Sequence, residues 1–153
     1  MLALTVVTKN HDLKRLVAEI NEALWDAANE MSMYDAESLA AYLEHQDTLF
    51  VACHEVVGSR HIFVGMASCR FEIKPYGKER WLYVDEVDVC ADHRQKGVGK
   101  AIMLKLIELA EEADCEEVWL GTEADNDAAN ALYLSLDPDD VGQVVGYTYE
   151  MKE

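Results

Sequence analysis

Proline is nearly absent, two residues in 153. No Pro/Gly/Ser linker, internal repeat or low-complexity tract divides the sequence, so one domain over 1–153 is expected, long enough to bury a core. Long hydrophobic runs are missing too. Nothing approaches the ~20 apolar residues that span a bilayer, and the opening MLALTVVTKNHD lacks the basic flank and long apolar stretch of a signal peptide. A soluble, cytoplasmic protein without a membrane partner is expected. The cysteines Cys53, Cys69, Cys90 and Cys115 form no C-x-x-C pair. Neither a metal site nor a disulfide framework is therefore expected, and small, reduced core residues are the simpler reading. Basic residues are scarce: 13 Lys and Arg face 30 Asp and Glu, a formal net charge of −17. A field of that sign repels nucleic acid and anionic lipid and concentrates cations. It suits a solvated acidic surface or a cationic partner, and charge alone leaves both open.

What is present is a globular composition, 50% hydrophobic and 28% charged. Residues 2–8 (LALTVVT) read as a strand. Apolar residues then recur at Leu13, Leu16, Val17, Ile20, Leu24 and Ala27, one face of a helix capped near Asn10 or Asp12. A second helix is expected from Asp35 through Leu39, Tyr42 and Leu43. Strands follow at 48–57 and 60–73, joined as a hairpin at Gly58-Ser59, with a turn at Pro75-Tyr76-Gly77. The remainder alternates: strand 81–90, helix 98–113, strand 116–121, helix 126–136 and strand 143–151. That order predicts an α/β fold, a mixed and mostly antiparallel sheet with helices on both faces.

The stretch DVCADHRQKGVGKAIM runs from a strand into a bend and straight into a helix. Arg94, Gly97 and Gly99 are spaced R-x-x-G-x-G. Glycines let backbone N–H groups converge on a ligand, and the helix start adds unpaired N–H groups and its positive dipole end. Arg94, Lys96 and Lys100 put positive charge there in an otherwise acidic chain. An anion site is the expectation, phosphate its usual occupant. The spacing is neither the G-x-x-x-x-G-K-[ST] phosphate loop nor the G-x-G-x-x-G dinucleotide fingerprint, since Ile102 stands where the latter needs its third glycine.

Downstream, Asn126, Ala129, Leu132 and Tyr133 are spaced N-x-x-A-x-x-L-Y. With this second motif the sequence resembles the GNAT superfamily of acetyl-CoA-dependent N-acetyltransferases over roughly 81–136. The resemblance implies that the backbone of Arg94, Gln95, Lys96, Gly97, Val98, Gly99 and Lys100 cradles the pyrophosphate of coenzyme A. It implies that Val87, Asp88 and Val89 flank the pantetheine arm, with the main chains of Val87 and Val89 pairing with it. Asn126 and Ala129 fall at cofactor-contacting positions. Tyr133 falls where the family donates a proton to the departing thiolate. Read alone, Tyr133 also suits a core aromatic, and Asn126 suits a helix N-cap.

Acetyl transfer to an amine needs a proton acceptor, because an alkylammonium has a pKa near ~10. Asp85, Glu86 and Asp88 lie on the strand entering the bend, and burying unpaired carboxylates is costly. Glu86 is the first candidate base and Asp85 the second. Alternation sets Asp85 opposite Glu86 and Asp88 unless a bulge changes the parity. A bland alternative is strand-edge acids paired with Arg80 or Arg94. Cys90, beside the bend, raises an acyl-cysteine route for which no nearby His partner is evident.

The run from Met33-Tyr34 through GTEADNDAANALYLSLD also resembles the type I aminoglycoside 3-N-acetyltransferases, antibiotic-resistance enzymes. That likeness implies a polycationic substrate met by Tyr34 and by the acids Glu123, Asp125, Asp127, Asp139 and Asp140, and it implies a homodimer. Polyamines, peptide N-termini and lysines suit the same acidity, and a non-catalytic coenzyme A-binding module is a further alternative. One departure stands out: the family's Y-x-x-L-G-F is here Tyr133-Leu134-Ser135-Leu136-Asp137-Pro138.

Overall fold

The computed structural model describes residues 1–29 and 31–152, and the chain divides into two compact units, Met1–Leu120 and Gly121–Glu153. In the first unit β1 (Leu2–Val6) leads to α1 (Leu13–Glu22), α2 (Ala36–Glu44), β2 (Thr48–Val57), β3 (Arg60–Ile73), β4 (Arg80–Val89), α3 (Val98–Glu112) and β5 (Glu117–Leu120). Short 3-10 turns sit at Ala27–Asn29 and Ala91–His93. The second unit contains α4 (Asp127–Leu134). Strand order is β1-β2-β3-β4-β5, antiparallel except for the parallel β4–β5 pair. The mixed sheet read from the sequence is present.

Local chemistry explains most boundaries. Asp12, one of the two expected caps, accepts from the backbone N–H of Arg15 and starts α1. Asp35 caps α2 through Ser38 in the same way. The apolar stripe outruns α1, which ends at Glu22, leaving Leu24 exposed and Ala27 in a 3-10 turn. Gly58, at φ 61°, makes the expected hairpin turn between Val57 and Arg60.

The sheet is covered on both faces. Phe50, Ala52 and Met66 point into one apolar cluster with Leu16, Val17 and Ile20 of α1 and Leu39 of α2. On the other face Gly65 lies against Val98 and Ile102 of α3. A Cβ at Gly65 would stand 2.9 Å from the Asp88 carbonyl oxygen and 3.1 Å from both side chains, so only glycine allows β3, β4 and α3 to meet this closely. Three of the four cysteines, Cys53, Cys69 and Cys90, are buried and free, and the fourth, Cys115, is half-buried and free, as reduced core residues should be.

One expected element does not form. Residues 143–151 are in no strand, and Val144, Val145, Tyr147, Tyr149 and Met151 are all exposed. A period-2 pattern makes a strand only when a neighbour supplies the hydrogen bonds, and none among the described residues does so.

Candidate active site

The site is built on a change in β4. Trp81–Val84 pair with β3 on one side and with Glu117–Leu120 of β5 on the other. Beyond Val84 the β5 pairing stops, while β3 continues alongside to Val89. The main chain of Val87 and Val89 therefore has a strand on one side only. That is the edge a pantetheine arm would need to extend the sheet.

A bulge marks the same point. Cys69 pairs with Val84 and Ser68 with Glu86, so Asp85 is the extra residue. Arg70, Ser68 and Met66 share one face of β3, and their partners Tyr83, Glu86 and Asp88 share it too. The bulge thus turns Glu86 and Asp88 onto the face that already carries Tyr83. Asp85 goes elsewhere: it is exposed and held by Arg70 at 3.3 Å. Its partner is Arg70, neither Arg80 nor Arg94 of the alternative reading.

Asp88 is the only charged residue among the buried core side chains of the described chain, 7% exposed. Its Oδ1 accepts from Asn29 Nδ2 at 2.9 Å, and its Oδ2 is buried with no hydrogen-bond partner among the described residues. Burial raises its carboxyl above the ordinary value, offset in part by Asn29, Glu86 and the charge of Arg94. Glu86 reaches the surface, and partial burial followed by the charge of Asp88 raises it as well. Tyr34 feels both acids: burial, then their charges, push its hydroxyl up to about 12. Its backbone is tied to Asn21 in both directions, and its ring packs edge-on against Phe50 with centroids 6.3 Å apart. Tyr34, Glu86 and Asp88 therefore form one group.

The bend follows. Gln95 (φ 61°) and Gly97 (φ 79°) are left-handed, and Gly97 is the N-cap of α3 with no side-chain cap bond. Open space surrounds the position of a Gly97 Cβ. Uncapped helix N–H groups beneath alternating left-handed residues form an anion-binding concavity, so the backbone fits the pyrophosphate expected from the motif. Lys96 and Lys100 are exposed. Arg94 is not: its guanidinium pairs with Asp26 at 3.0 Å and donates to Asn29 Oδ1 at 3.2 Å. The basic group at the bend is thus two lysines plus an arginine engaged with its own chain.

Cys90 is unsuited to an acyl-enzyme. It is buried, its thiol donates to the Phe63 carbonyl at 3.7 Å, and burial pushes it up to about 12.

In the second unit, Asn126 caps α4 by accepting from Ala129 N–H at 3.1 Å. Ala129 and Tyr133 are half-buried on that helix, while Glu123, Asp125, Asp127, Asp139 and Asp140 are exposed. Asp137, at the place of the family's glycine, has φ 52°, the conformation that glycine takes beyond a helix end. Asp137 N–H reaches the Leu134 carbonyl at 3.2 Å, closing the helix. The departure in sequence preserves the backbone turn.

Sequence reasoning missed Asn29 and Asp26. Asp26-x-x-Asn29 signals a local turn at most, and nothing in it points to β4, 59 residues away.

A strand with a bulge, running on past the end of its parallel neighbour into an uncapped glycine bend, is the frame expected of an acetyl-coenzyme A-dependent acyltransferase. The Acetyltransferase (GNAT) family model matches residues 11–137, and the chain belongs to that family. Mouse N-acetyltransferase family 8 member 3 is 32% identical over 98 residues, 64% of this chain and 43% of that protein. The chain thus matches less than half the length of this curated relative. Among solved structures, an aminoglycoside acetyltransferase from an uncultured soil metagenomic sample, in complex with sisomicin, superposes with a TM-score of 0.83 at 23% identity, covering 99% of this chain and 97% of that one. A ribosomal-protein-alanine N-acetyltransferase from Brucella melitensis biovar Abortus 2308 gives 0.72 at 17% identity, covering 97% and 100%. No helix among the described residues is long and apolar enough to cross a membrane.

Proposed function

We propose that the protein transfers the acetyl group of acetyl-CoA to a primary amine of an aminoglycoside by direct attack, as an aminoglycoside 3-N-acetyltransferase conferring antibiotic resistance. The observation that carries the reading is the second half of β4, where Glu86 and Asp88 share a face next to an uncapped glycine bend. The soil aminoglycoside acetyltransferase supports the choice of acceptor through its shared fold, and the net charge of −17 suits a polycation. In this reading residues 1–153 act as one N-acetyltransferase domain, cytoplasmic and dimeric.

The chemistry follows from the groups named. The substrate ammonium loses a proton to the Glu86–Asp88 carboxyl pair. The neutral nitrogen attacks the thioester carbonyl carbon, a C–N bond forms, and the C–S bond breaks with its electron pair on sulfur. Tyr133 gives the thiolate its proton and regains one from the nitrogen. The sum is ammonium plus thioester going to amide, free thiol and one proton. Gln95 through Lys100 hold the pyrophosphate, Val87 and Val89 the pantetheine arm, and Asn126 and Ala129 the cofactor side of α4. Tyr34, Glu123, Asp125, Asp127, Asp139 and Asp140 receive the other ammonium groups.

A second acceptor class, polyamine, peptide N-terminus or lysine, suits the same acidity, and Asp137-Pro138 departs from the Gly-Phe of the family pattern on the loop after α4. Free-thiol release from acetyl-CoA across a panel of sisomicin, spermidine and lysine-bearing peptides separates them. Release with sisomicin supports the first reading. Release with spermidine or peptide alone overturns it in favour of the second, and no release with any amine overturns both.

A further inference from the structure

Asn29 sits at the end of a one-turn helix, far in sequence from the acids, yet it is the most connected polar side chain beside them. Its Nδ2 donates to Asp88 Oδ1 at 2.9 Å. Its Oδ1 accepts from Arg94 at 3.2 Å and from the Asp26 backbone N–H at 3.2 Å. Arg94 in turn pairs with the Asp26 carboxylate at 3.0 Å. One carboxamide therefore bridges a buried acid of β4 and the first residue of the glycine bend. Two atoms beside this bridge are buried without hydrogen-bond partners among the described residues: Asp88 Oδ2 and Arg94 Nε. An unsatisfied carboxylate oxygen in a core is costly and is retained where it has work to do.

We infer that Asn29 is a positioning residue: its hydrogen bond favours the ionised form of Asp88 behind Glu86 and ties the charge state of that carboxyl pair to the position of Arg94 in the bend. The inference rests on the proposed acetyl transfer, in which the pair takes the amine's proton. Glu86, open to solvent, meets the ammonium, and Asp88 behind it makes the pair a stronger proton acceptor. Two carboxyls this close titrate as a unit, and the reaction needs the pair in its proton-free form, so activity follows the higher of its two apparent pKa values.

The charged and titratable groups around Asp88 are few. Glu86 lies on its own strand, with Asp85 beyond, and Cys90 follows. Arg94 faces it from the bend with Asp26 behind. Tyr34 faces it from the segment before α2. Met66, its partner on β3, is neutral. Of these, Arg94 alone favours the ionised form by its charge, and Asn29 and Glu86 do so by hydrogen bonding. Removing Asn29 takes away the hydrogen bond and frees Arg94 to turn, and both changes move the pair's upper titration to higher pH.

The test is a pH titration of the Glu86 and Asp88 carboxyl carbons by NMR in wild type, Asn29→Ala and the near-isosteric Asn29→Asp, alongside the pH dependence of kcat/KM for the amine. In both variants the upper carboxyl titration is expected at higher pH than in wild type. The acid limb of kcat/KM moves with it, and turnover at pH 6 falls ~10-fold while turnover well above the limb is largely kept. A carboxyl titration unchanged in the two variants overturns the positioning role. A titration that moves while the acid limb stays overturns the coupling to the reaction. Absence of turnover in the wild type with every amine defeats the acetyl-transfer reading instead, and the carboxyl titration still decides what Asn29 does.

Discussion

The two halves of β4 share a backbone and differ in everything else. Trp81–Val84 has a strand on each side, and Leu82 and Val84 are buried, with Leu82 fully so. Asp85–Val89 has a strand on one side and carries three acids, one of them buried with an unsatisfied oxygen. The first half obeys every rule of a central strand. The second breaks several at once, with a bulge, an open edge and a charge in the core. Rule-breaking grouped within five residues, next to a bend with left-handed backbone, marks where stability has been given up for a task.

Substitutions can break this contrast or sharpen it. The largest effect on stability is expected from Leu82→Ala in the orderly half, a loss of ~3 kcal/mol measurable by urea unfolding, because a fully buried side chain leaves a cavity. Turnover per folded molecule should survive. Gly65→Ala strikes the boundary: its Cβ would meet the Asp88 carbonyl at 2.9 Å, so β4 must move, with ~2 kcal/mol lost and turnover lowered together. Gly97→Ala has open space and suffers only from its φ of 79°. About 1 kcal/mol of stability is expected to go, with a rise in KM for acetyl-CoA and little change in kcat. Asp137→Gly relieves a left-handed aspartate at φ 52° and should add ~0.5 kcal/mol.

The Asp88 carboxyl gives a pH signature opposite to that of a stabilising salt bridge. Burial raises it, so the folded protein favours the neutral acid. Well below the ordinary carboxylate range, wild type and Asp88→Asn should melt alike. As pH rises through that range into the raised folded value, the wild type acquires a buried charge and loses stability relative to the variant. Thermal melts at pH 3 and pH 7 check this: the variant is expected to gain at pH 7 only.

Much of the frame was legible in the sequence, and the reasons are local. Strands 48–57 and 60–73 were read to the residue because Gly58-Ser59 fixes their turn and β-branched and aromatic residues fill their length. The bend was readable because R-x-x-G-x-G is a backbone requirement written in residue types. What stayed hidden depends on distant partners. The bulge at Asp85 exists only against Ser68 and Cys69, and the tie from Asn29 to Asp88 only after the chain has folded back. The alternation at 143–151 misled because a pattern proposes a strand and only a neighbour makes one. Asp137 is the converse case, an aspartate before a proline that holds the backbone conformation for which glycine is the usual sign.

The most direct measurement compares the two halves of β4 in one assay, thiol release from acetyl-CoA per folded molecule with the best amine acceptor at pH 7. Leu82→Ala, though destabilised, is predicted to match wild type, and Asp88→Asn, no less stable than wild type, is predicted to lose ~100-fold. An Asp88→Asn protein that turns over like wild type would contradict the account.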